Sequence, residues 1–362
     1  MPSKYGINVE FKNSSIKDTK IDTSTPIAII GDEPELRGLK VYNSVDEALE
    51  EIKGGTLKQA LLDLQASSCR CQIIVSAFEK QEEGITNALQ GIKALEKAEQ
   101  ELAIKPKFIL MPEYNDTGIY GALKQIATKL RAVYAIELNA KNETEVKKEI
   151  ENIITHRAII TFQKVQRIDK TTRPASAFII ALYANVMNSS EYGFAQTYSN
   201  RQIDGIDNII DSVEYFYGED CEADRLRAMG VTCIVQDLGI RAWGRGTRDE
   251  ELGLSSLHSV IIFDRIIETI LKSQKEAIDK SMSDYLKKVQ DDLDAFYRKL
   301  VANRVLIDFK ISLDEDLNTN ESLAEGIVYI TQKTQEVPLI SKITNRIYRV
   351  SEYTTQLIKE LK

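Results

Sequence analysis

Gln72-Ile73-Ile74-Val75-Ser76-Ala77-Phe78, the stretch Ile85 to Gln100, and Lys107-Phe108-Ile109-Leu110-Met111 decide the fold class. They read as strand, helix and strand, and such a unit joins two parallel strands by a helical crossover. The same alternation extends in both directions. Upstream, Ile27-Ala28-Ile29-Ile30 reads as a buried strand. Ser44-x-x-Glu47 is a capping box that opens a helix, and Thr56 to Ala66 sets Leu57, Leu61 and Leu64 on one helical face. Downstream, Ile119 to Leu130, Glu143 to Ile154 and Ala175 to Met187 are predicted helices, with strands at Val133 to Leu138 and Ala158 to Phe162. Val231 to Val235 and Ile240 to Trp243 form a late strand pair around Asp237-Leu238-Gly239. Alternation of this kind over residues 27–244 predicts an α/β unit with parallel strands.

The pattern changes after Trp243, and a boundary is expected near residue 245. Ser255 to Ile278 is a long helix, apolar at Val260, Ile261, Phe263, Ile266, Ile267, Ile270 and Leu271. Ser281-x-x-Asp284 is expected to cap a second helix, whose Leu286, Val289, Leu293, Phe296 and Leu300 recur every three or four residues. A β-rich stretch follows at Ile327 to Thr331, then Pro338, then Ile343 to Leu357. The N-terminus stands apart: Tyr5, Ile7, Val9 and Phe11 alternate along a half-buried strand. Fourteen mostly polar residues, Lys12 to Thr25, then lead to Pro26. No tight turn folds this strand back, so it pairs with a distant part of its own chain or with another molecule. No tandem repeat or low-complexity run is present.

Composition narrows the function. The 362 residues include 47 Lys+Arg and 55 Asp+Glu, a net charge of −8, which argues against a general nucleic-acid binder. No apolar run reaches the ~18–20 residues that cross a bilayer. The start of the chain lacks a basic-then-apolar signal pattern, so maturation in a cytoplasm is expected. Four cysteines make no disulfide scaffold, and Cys71, opening an apolar run, reads as a buried thiol better than as a zinc ligand. Neither His156 nor His258 sits in a catalytic pattern, and no carboxylate pair is marked as an acid/base dyad. Gly244-Arg245-Gly246 fits neither nucleotide-binding glycine spacing; an interdomain turn is the better reading, and a nucleotide-binding α/β enzyme using this loop is the alternative. Met111 to Asp116 lies between a strand and a helix, where open α/β sheets bind ligands.

Several segments, in order, resemble the contractile tail sheath family of phages and related bacteriocin and injection particles. Tyr5 to Phe11 looks like the family's opening strand, and Lys105 to Tyr114 like a strand and turn near its centre. Thr197-Tyr198-Ser199-Asn200-Arg201 with Ile203 to Ile206 is similar to a third stretch. Ala228 to Thr232 followed by Gly239-Ile240-Arg241-Ala242-Trp243-Gly244-Arg245-Gly246-Thr247 resembles the block that opens the family's C-terminal domain. Asn318-Thr319, Ala324-Glu325-Gly326 and Val337-Pro338-Leu339 continue the likeness. Phe178 stands where the family often has arginine after Pro-Ala-Ser-Ala.

The resemblance implies a structural subunit and not an enzyme, with no cofactor. It implies an N-terminal arm (1–26), an outward-facing α/β domain (27–244), an inner α+β domain (245–340) and a C-terminal arm (341–362). The inner sheet is completed by neighbours' arms, through Tyr5, Ile7, Val9 and Phe11 at one end and Ile343, Ile347, Tyr348, Val350, Tyr353 and Leu357 at the other. Implied partners are sibling subunits in hexameric rings, an inner tail tube, a baseplate and a tail terminator, without direct contact to nucleic acid or membrane. The particle would be a virion tail or phage-like tail assembled in a bacterial cytoplasm. Arg241, Arg245, Lys287, Lys288 and Asp291 are candidates to face the tube.

Overall fold

The structure is a computed structural model that describes residues 22–81, 84–218, 220–249, 251, 254–351, 353 and 360. Tyr5, Ile7, Val9, Phe11 and Leu357, assigned to the two arms, lie outside these residues.

The central sheet has six strands, β1 (Ile27–Asp32), β2 (Gly38–Tyr42), β3 (Ile73–Phe78), β4 (Phe108–Leu110), β5 (Val133–Glu137) and β6 (Ala158–Thr161). Their order is β2-β3-β1-β4-β5-β6. Five run parallel, and β2 is antiparallel to β3 at one edge. Every residue of β1 and β3 is buried, as a sheet covered on both faces requires. Ile27, Ile29, Val75, Phe108 and Val133 face one apolar layer, and Ala28, Ile30, Ile74, Ile109, Tyr134 and Ile136 face the other. The first layer holds α1 (Val45–Glu51) and α2 (Gly55–Ala66), and the second holds α3 (Thr86–Ala94), α4 (Ala98–Leu102), α5 (Thr117–Leu130) and α6 (Glu143–Ile150). The first layer also takes α7 (Ser176–Asn188), while α8 (Glu222–Ala228) joins the second. Ser44 caps α1 as expected, its hydroxyl accepting from the Glu47 N–H at 3.1 Å, while the Glu47 carboxylate reaches one residue past the N-cap and accepts from Asn43 N at 2.7 Å.

Three short strands, β7 (Lys164–Arg167), β8 (Thr172–Pro174) and β9 (Ile206–Ile209), form a separate sheet in the order β8-β7-β9. β10 (Cys233–Gln236) and β11 (Ile240–Trp243) pair antiparallel around Asp237 to Gly239, as read from the sequence. The long helix α9 (Leu257–Gln274) enters the first apolar layer through Leu257, Ile261, Ile262 and Ile266. It is followed by α10 (Met282–Ala302), β12 (Leu306–Leu313), α11 (Asn320–Ala324) and β13 (Ile330–Glu336). β12 and β13 make a two-stranded antiparallel ribbon. α10 covers it with Leu293, Phe296 and Leu300, and the Tyr297 ring stacks on Phe309 at 5.2 Å. Among the described residues no helix is long and apolar enough to cross a membrane.

Some expectations are corrected. The helix from Ile85 to Gln100 breaks at a 3-10 turn over Leu95–Lys97, and that from Glu143 stops at Ile150. Ser281 makes no side-chain cap; its hydroxyl meets that of Ser283 at 2.8 Å. The strand expected at Ile327 begins at Ile330. Residues 343–350 are not in a strand within this chain.

The turn after α8 shows where glycine is required. Gly230 has φ +81°, and a Cβ on it would lie 2.5 Å from the Thr247 carbonyl oxygen, whereas a Cβ on Gly121, inside α5, would meet nothing within 4 Å. Gly230→Ala is therefore expected to lower stability by more than about 1 kcal/mol. Gly121→Ala is expected to raise it by roughly 0.5–1 kcal/mol. Thermal melts of the two variants test this pairing.

Candidate functional sites at the sheet ends and the open ribbon

The carboxyl end of a parallel sheet is where α/β enzymes bind ligands. Here β7 and β8 supply arginines that fill it. Asp63 of α2 accepts from Arg167 Nη1 and from Arg173 Nε, each at 2.8 Å, and Arg173 also pairs with Glu113 in the loop after β4. Burial pushes the Asp63 carboxyl up to about 6, and the two guanidiniums pull against that shift, so it is ionised at neutral pH. The Tyr114 hydroxyl donates to Asp32 at 3.0 Å, and Thr56 donates to the same carboxylate at 2.9 Å. At the end of β5, Glu137 contacts the Ser176 hydroxyl and accepts from Glu113 N at 2.9 Å. Met111 to Asp116, considered as a ligand loop, is thus occupied by bonds within its own chain.

The Gly244 to Gly246 loop offers no phosphate cradle. Gly244 N donates to Ser199 at 3.1 Å, Thr247 N to the Ser255 carbonyl at 3.3 Å, and Arg248 N to the Thr155 carbonyl at 2.9 Å. A Cβ on Gly244, at φ +147°, would come within 2.8 Å of Thr232 Cα and the Val231 oxygen, so the glycine serves close backbone approach. The four cysteines are buried and unpaired, and Cys71 lies beside Thr25 and Asn188. Among the described residues no group of three or more His, Cys, Asp or Glu is arranged to hold a metal. His156 meets Asp249 at 3.3 Å. His258 is buried, which depresses its pKa and favours the neutral ring expected in a first helical turn.

The opposite, amino end of the sheet carries a second charged layer that the sequence did not single out. Arg157, before β6, forms a two-pronged pair with Asp264 of α9, one prong at 2.8 Å. Lys107, before β4, pairs with Glu268 one turn further along α9. Burial lowers the Lys107 pKa to about 8 and the Glu268 partner offsets this, so the ammonium remains charged near neutrality.

The residues proposed for the tube face fall into two groups. Arg241 donates to the carbonyls of Asp237 at 2.8 Å and Asn200 at 3.0 Å, tying its own hairpin to a neighbouring loop. Arg245 reaches the hydroxyls of Ser256 and Ser341 across a groove of about 1740 Å³. Lys287 and Asp291 are exposed on α10 and 4.0 Å apart, and Lys288 sits over the Tyr285 ring. No hydrogen bond or ion pair joins the two groups among the described residues.

The largest unsatisfied feature is the ribbon. Among the described residues, no strand pairs with the outer edge of β12 or of β13. Beyond β13 the chain continues without helix or strand, with Ile340, Ile343, Ile347 and Tyr348 at 71–93% exposure.

No family model matches the sequence. A Pseudomonas aeruginosa prophage chain assigned as a major tail sheath protein is 27% identical over 276 residues, 74% of this chain and 71% of the relative. The tail sheath protein of Escherichia phage P2 is 27% identical over 275 residues, 74% of this chain and 69% of its own. This chain is a homologue of tail sheath proteins. Its fold matches that of the anti-feeding prophage helical sheath in the contracted state, with a TM-score of 0.72 over 97% of this chain and all of the other, at 16% identity. The α/β architecture is thus the fold seen in a contractile sheath.

The Glu137 carboxyl provides a pH test of the filled sheet end. Burial pushes its pKa from 4.5 up to about 7, against the Ser176 and Glu113 hydrogen bonds. The folded state then holds a proton that the unfolded chain has lost, so stability falls as pH rises from about 4.5 to 7. Glu137→Gln removes the buried charge, accepts from Glu113 N through its carbonyl oxygen and donates its amide N–H to the Ser176 hydroxyl, which turns to accept. Its melting temperature is expected to exceed that of the native chain at pH 8, and the advantage is expected to vanish near pH 4.

Proposed function

We propose that this chain is the repeating subunit of a contractile tail sheath. It polymerises as stacked hexameric rings around an inner tail tube and contracts to drive the tube through a target envelope. The observation that carries this reading is the ribbon, whose two outer edges pair with no strand among the described residues, followed by an extended segment that is held at Ser341 and carries exposed Ile343, Ile347 and Tyr348. An edge of free N–H and C=O groups is a template for another strand, and added strands bind by main-chain bonds with side-chain pockets setting register. The donors are the arms of two neighbours: residues 1–26, with Tyr5, Ile7, Val9 and Phe11, and residues 341–362, with Ile343, Ile347, Tyr348, Val350, Tyr353 and Leu357. Residues 245–340 form the acceptor domain facing inward, and residues 27–244 face outward.

Magnitudes explain why arms work as a mesh. Burying Ile7, Val9 and Phe11 gains roughly 1.5–3 kcal/mol each. Ladder hydrogen bonds add about 1 kcal/mol each. Ordering costs about 1–2 kcal/mol per residue. A single seven-residue arm is close to balanced, and many arms at high local concentration are secure. Fourteen tether residues span up to roughly 45 Å, enough to reach an adjacent subunit and to swing while the strands stay paired. Contraction is driven by the interface free energy gained between outer domains, with no nucleotide hydrolysed. A net charge of −8 makes those contacts salt-sensitive. The tube contacts Arg241 and Arg245 or the polar side of α10, and a baseplate and terminator close the two ends. The setting is a phage or phage-like tail built in a bacterial cytoplasm.

Deletion of residues 1–20 is expected to leave a folded monomer that forms no tubes in electron micrographs. Val9→Asp is expected to do the same. Long tubes from either variant would refute the arm exchange.

A further inference from the structure

One helix holds both the segment that leads into β1 and the segment that follows β13. On the N-terminal side, Arg265 of α9, 3% exposed, donates from Nη1 to the Asp22 carbonyl at 2.8 Å and from Nη2 to the Ser24 carbonyl at 3.0 Å. Lys272, two turns on, holds the Asp22 carboxylate at 2.9 Å. That carboxylate also accepts from Ser24, and these bonds hold its pKa well below the usual range despite partial burial. On the C-terminal side, the first turn of α9 holds the end of β13. His258 Nε2 donates to the Val337 carbonyl at 3.2 Å, and the Ser259 hydroxyl donates to Glu336 at 2.6 Å. Arg245 bridges Ser256, the residue before α9, to Ser341 at 2.9 and 2.6 Å. Between these two roots, Asp264 and Glu268 pin the helix to the sheet through Arg157 and Lys107.

We propose that α9 is a tension strut that joins the roots of the two arms, with Arg265 and Lys272 as the positioning residues for the N-terminal root. This rests on the sheath reading above. From His258 to Lys272 the helix spans about 21 Å, a rigid rod with its hydrogen bonds along the axis. Pull on one arm enters α9 at one root and leaves at the other. Arg265 grips two carbonyls of the same segment, so its bonds share the load and do not open one after another. Without that grip, the pull would fall on Pro26 and Ile27, at the start of β1, and would strip the central strand from the sheet. The three charged residues of α9 that face this junction, Asp264, Arg265 and Glu268, are all buried, which is costly unless each is held in place.

The test uses full-length chain and two variants. Arg265→Lys keeps the charge beside Glu268 but reaches only one carbonyl. Asp22→Asn with Lys272→Gln removes the exposed half of the clamp and guards against misfolding of the first. Each is assembled into tubes and sheared at a fixed rate, while the melting temperature of the unassembled subunit is measured in parallel. Tube lifetime is expected to fall by roughly five- to thirtyfold, the factors that correspond to losing one or two hydrogen bonds of about 1 kcal/mol. Subunit melting is expected to move by only a few degrees. Variant tubes that last as long as native ones would overturn the strut, as would lifetimes that merely follow subunit melting. If the native chain forms no tubes at all, the sheath reading fails and the strut with it. Native tubes with unaffected variants overturn the strut alone.

Discussion

The seating of α9 under the amino end of the central sheet is the interaction on which the rest of the molecule depends. Asp264 and Glu268 lie one turn apart on the same helical face, and they meet Arg157 and Lys107 at the starts of β6 and β4. Such buried pairs gain little over an apolar contact of the same volume, because desolvation consumes most of the Coulomb attraction. Their effect is on register. A four-residue slip of α9 toward its C-terminus would set Val260 against the buried Arg157 guanidinium and carry Glu268 away from Lys107, a penalty of several kcal/mol for each buried charge left without its partner. Leu257, Ile261, Ile262 and Ile266 supply the apolar free energy of the junction, and the charges decide where along the helix it forms. α10, β12 and β13 follow α9 in the chain, so their position relative to the sheet is inherited from this one contact.

The other end of the sheet shows the same device put to a different use. An open parallel sheet leaves a crevice at the strand ends where the order reverses, here beside β1. In this chain Arg167 and Arg173 turn inward from β7 and β8 and bind Asp63 and Glu113 across that space. Asp63, Glu113, Asp32 and Glu137 at this end of the sheet all have partners within the chain. The fold has therefore kept the architecture of a ligand-binding sheet while its exposed chemistry has moved to strand edges and chain ends.

How much of this was legible follows from what each signal measures. Long apolar runs such as Ile73 to Phe78 and helical spacing such as Leu57, Leu61 and Leu64 report burial directly, and the parallel sheet emerged from them. β2 and the strands β7 to β9 are not legible in the sequence, because Lys40, Lys164 and Asp207 interrupt short half-exposed runs. β12 was missed for a similar reason: Asp308 and Lys310 give it an exposed face, so it does not look buried. The Gly244 loop and the late strand pair were legible as local chemistry. The charged junctions were not: Arg157 and Asp264 are 107 residues apart, and Arg173 and Asp63 are 110 apart. A lone arginine before a strand carries no local mark of a distant partner. His258 was a partial case, since its place in a first helical turn pointed to a neutral ring but not to the Val337 carbonyl.

A two-stranded ribbon is marginal in water on its own, so the order of β12 and β13 needs explaining. The explanation is that α10 covers one face, with Phe296, Leu300 and the Tyr297–Phe309 stack, while the edges stay open. A face and an edge are satisfied by different partners: side chains cover a face, and only another backbone satisfies an edge. The helix orders the ribbon by covering its face and leaves the outer-edge hydrogen-bonding groups without a strand partner among the described residues. Ile343, Ile347 and Tyr348 stay exposed beside that ribbon, since the segment that carries them does not fold back onto the β13 edge. Water satisfies the open edges in the meantime, and charges such as Lys310 and Lys333 on the paired strands slow indiscriminate pairing. One physical reason thus accounts for both features of the ribbon: a helix can satisfy its face, and only a further backbone could satisfy its edges.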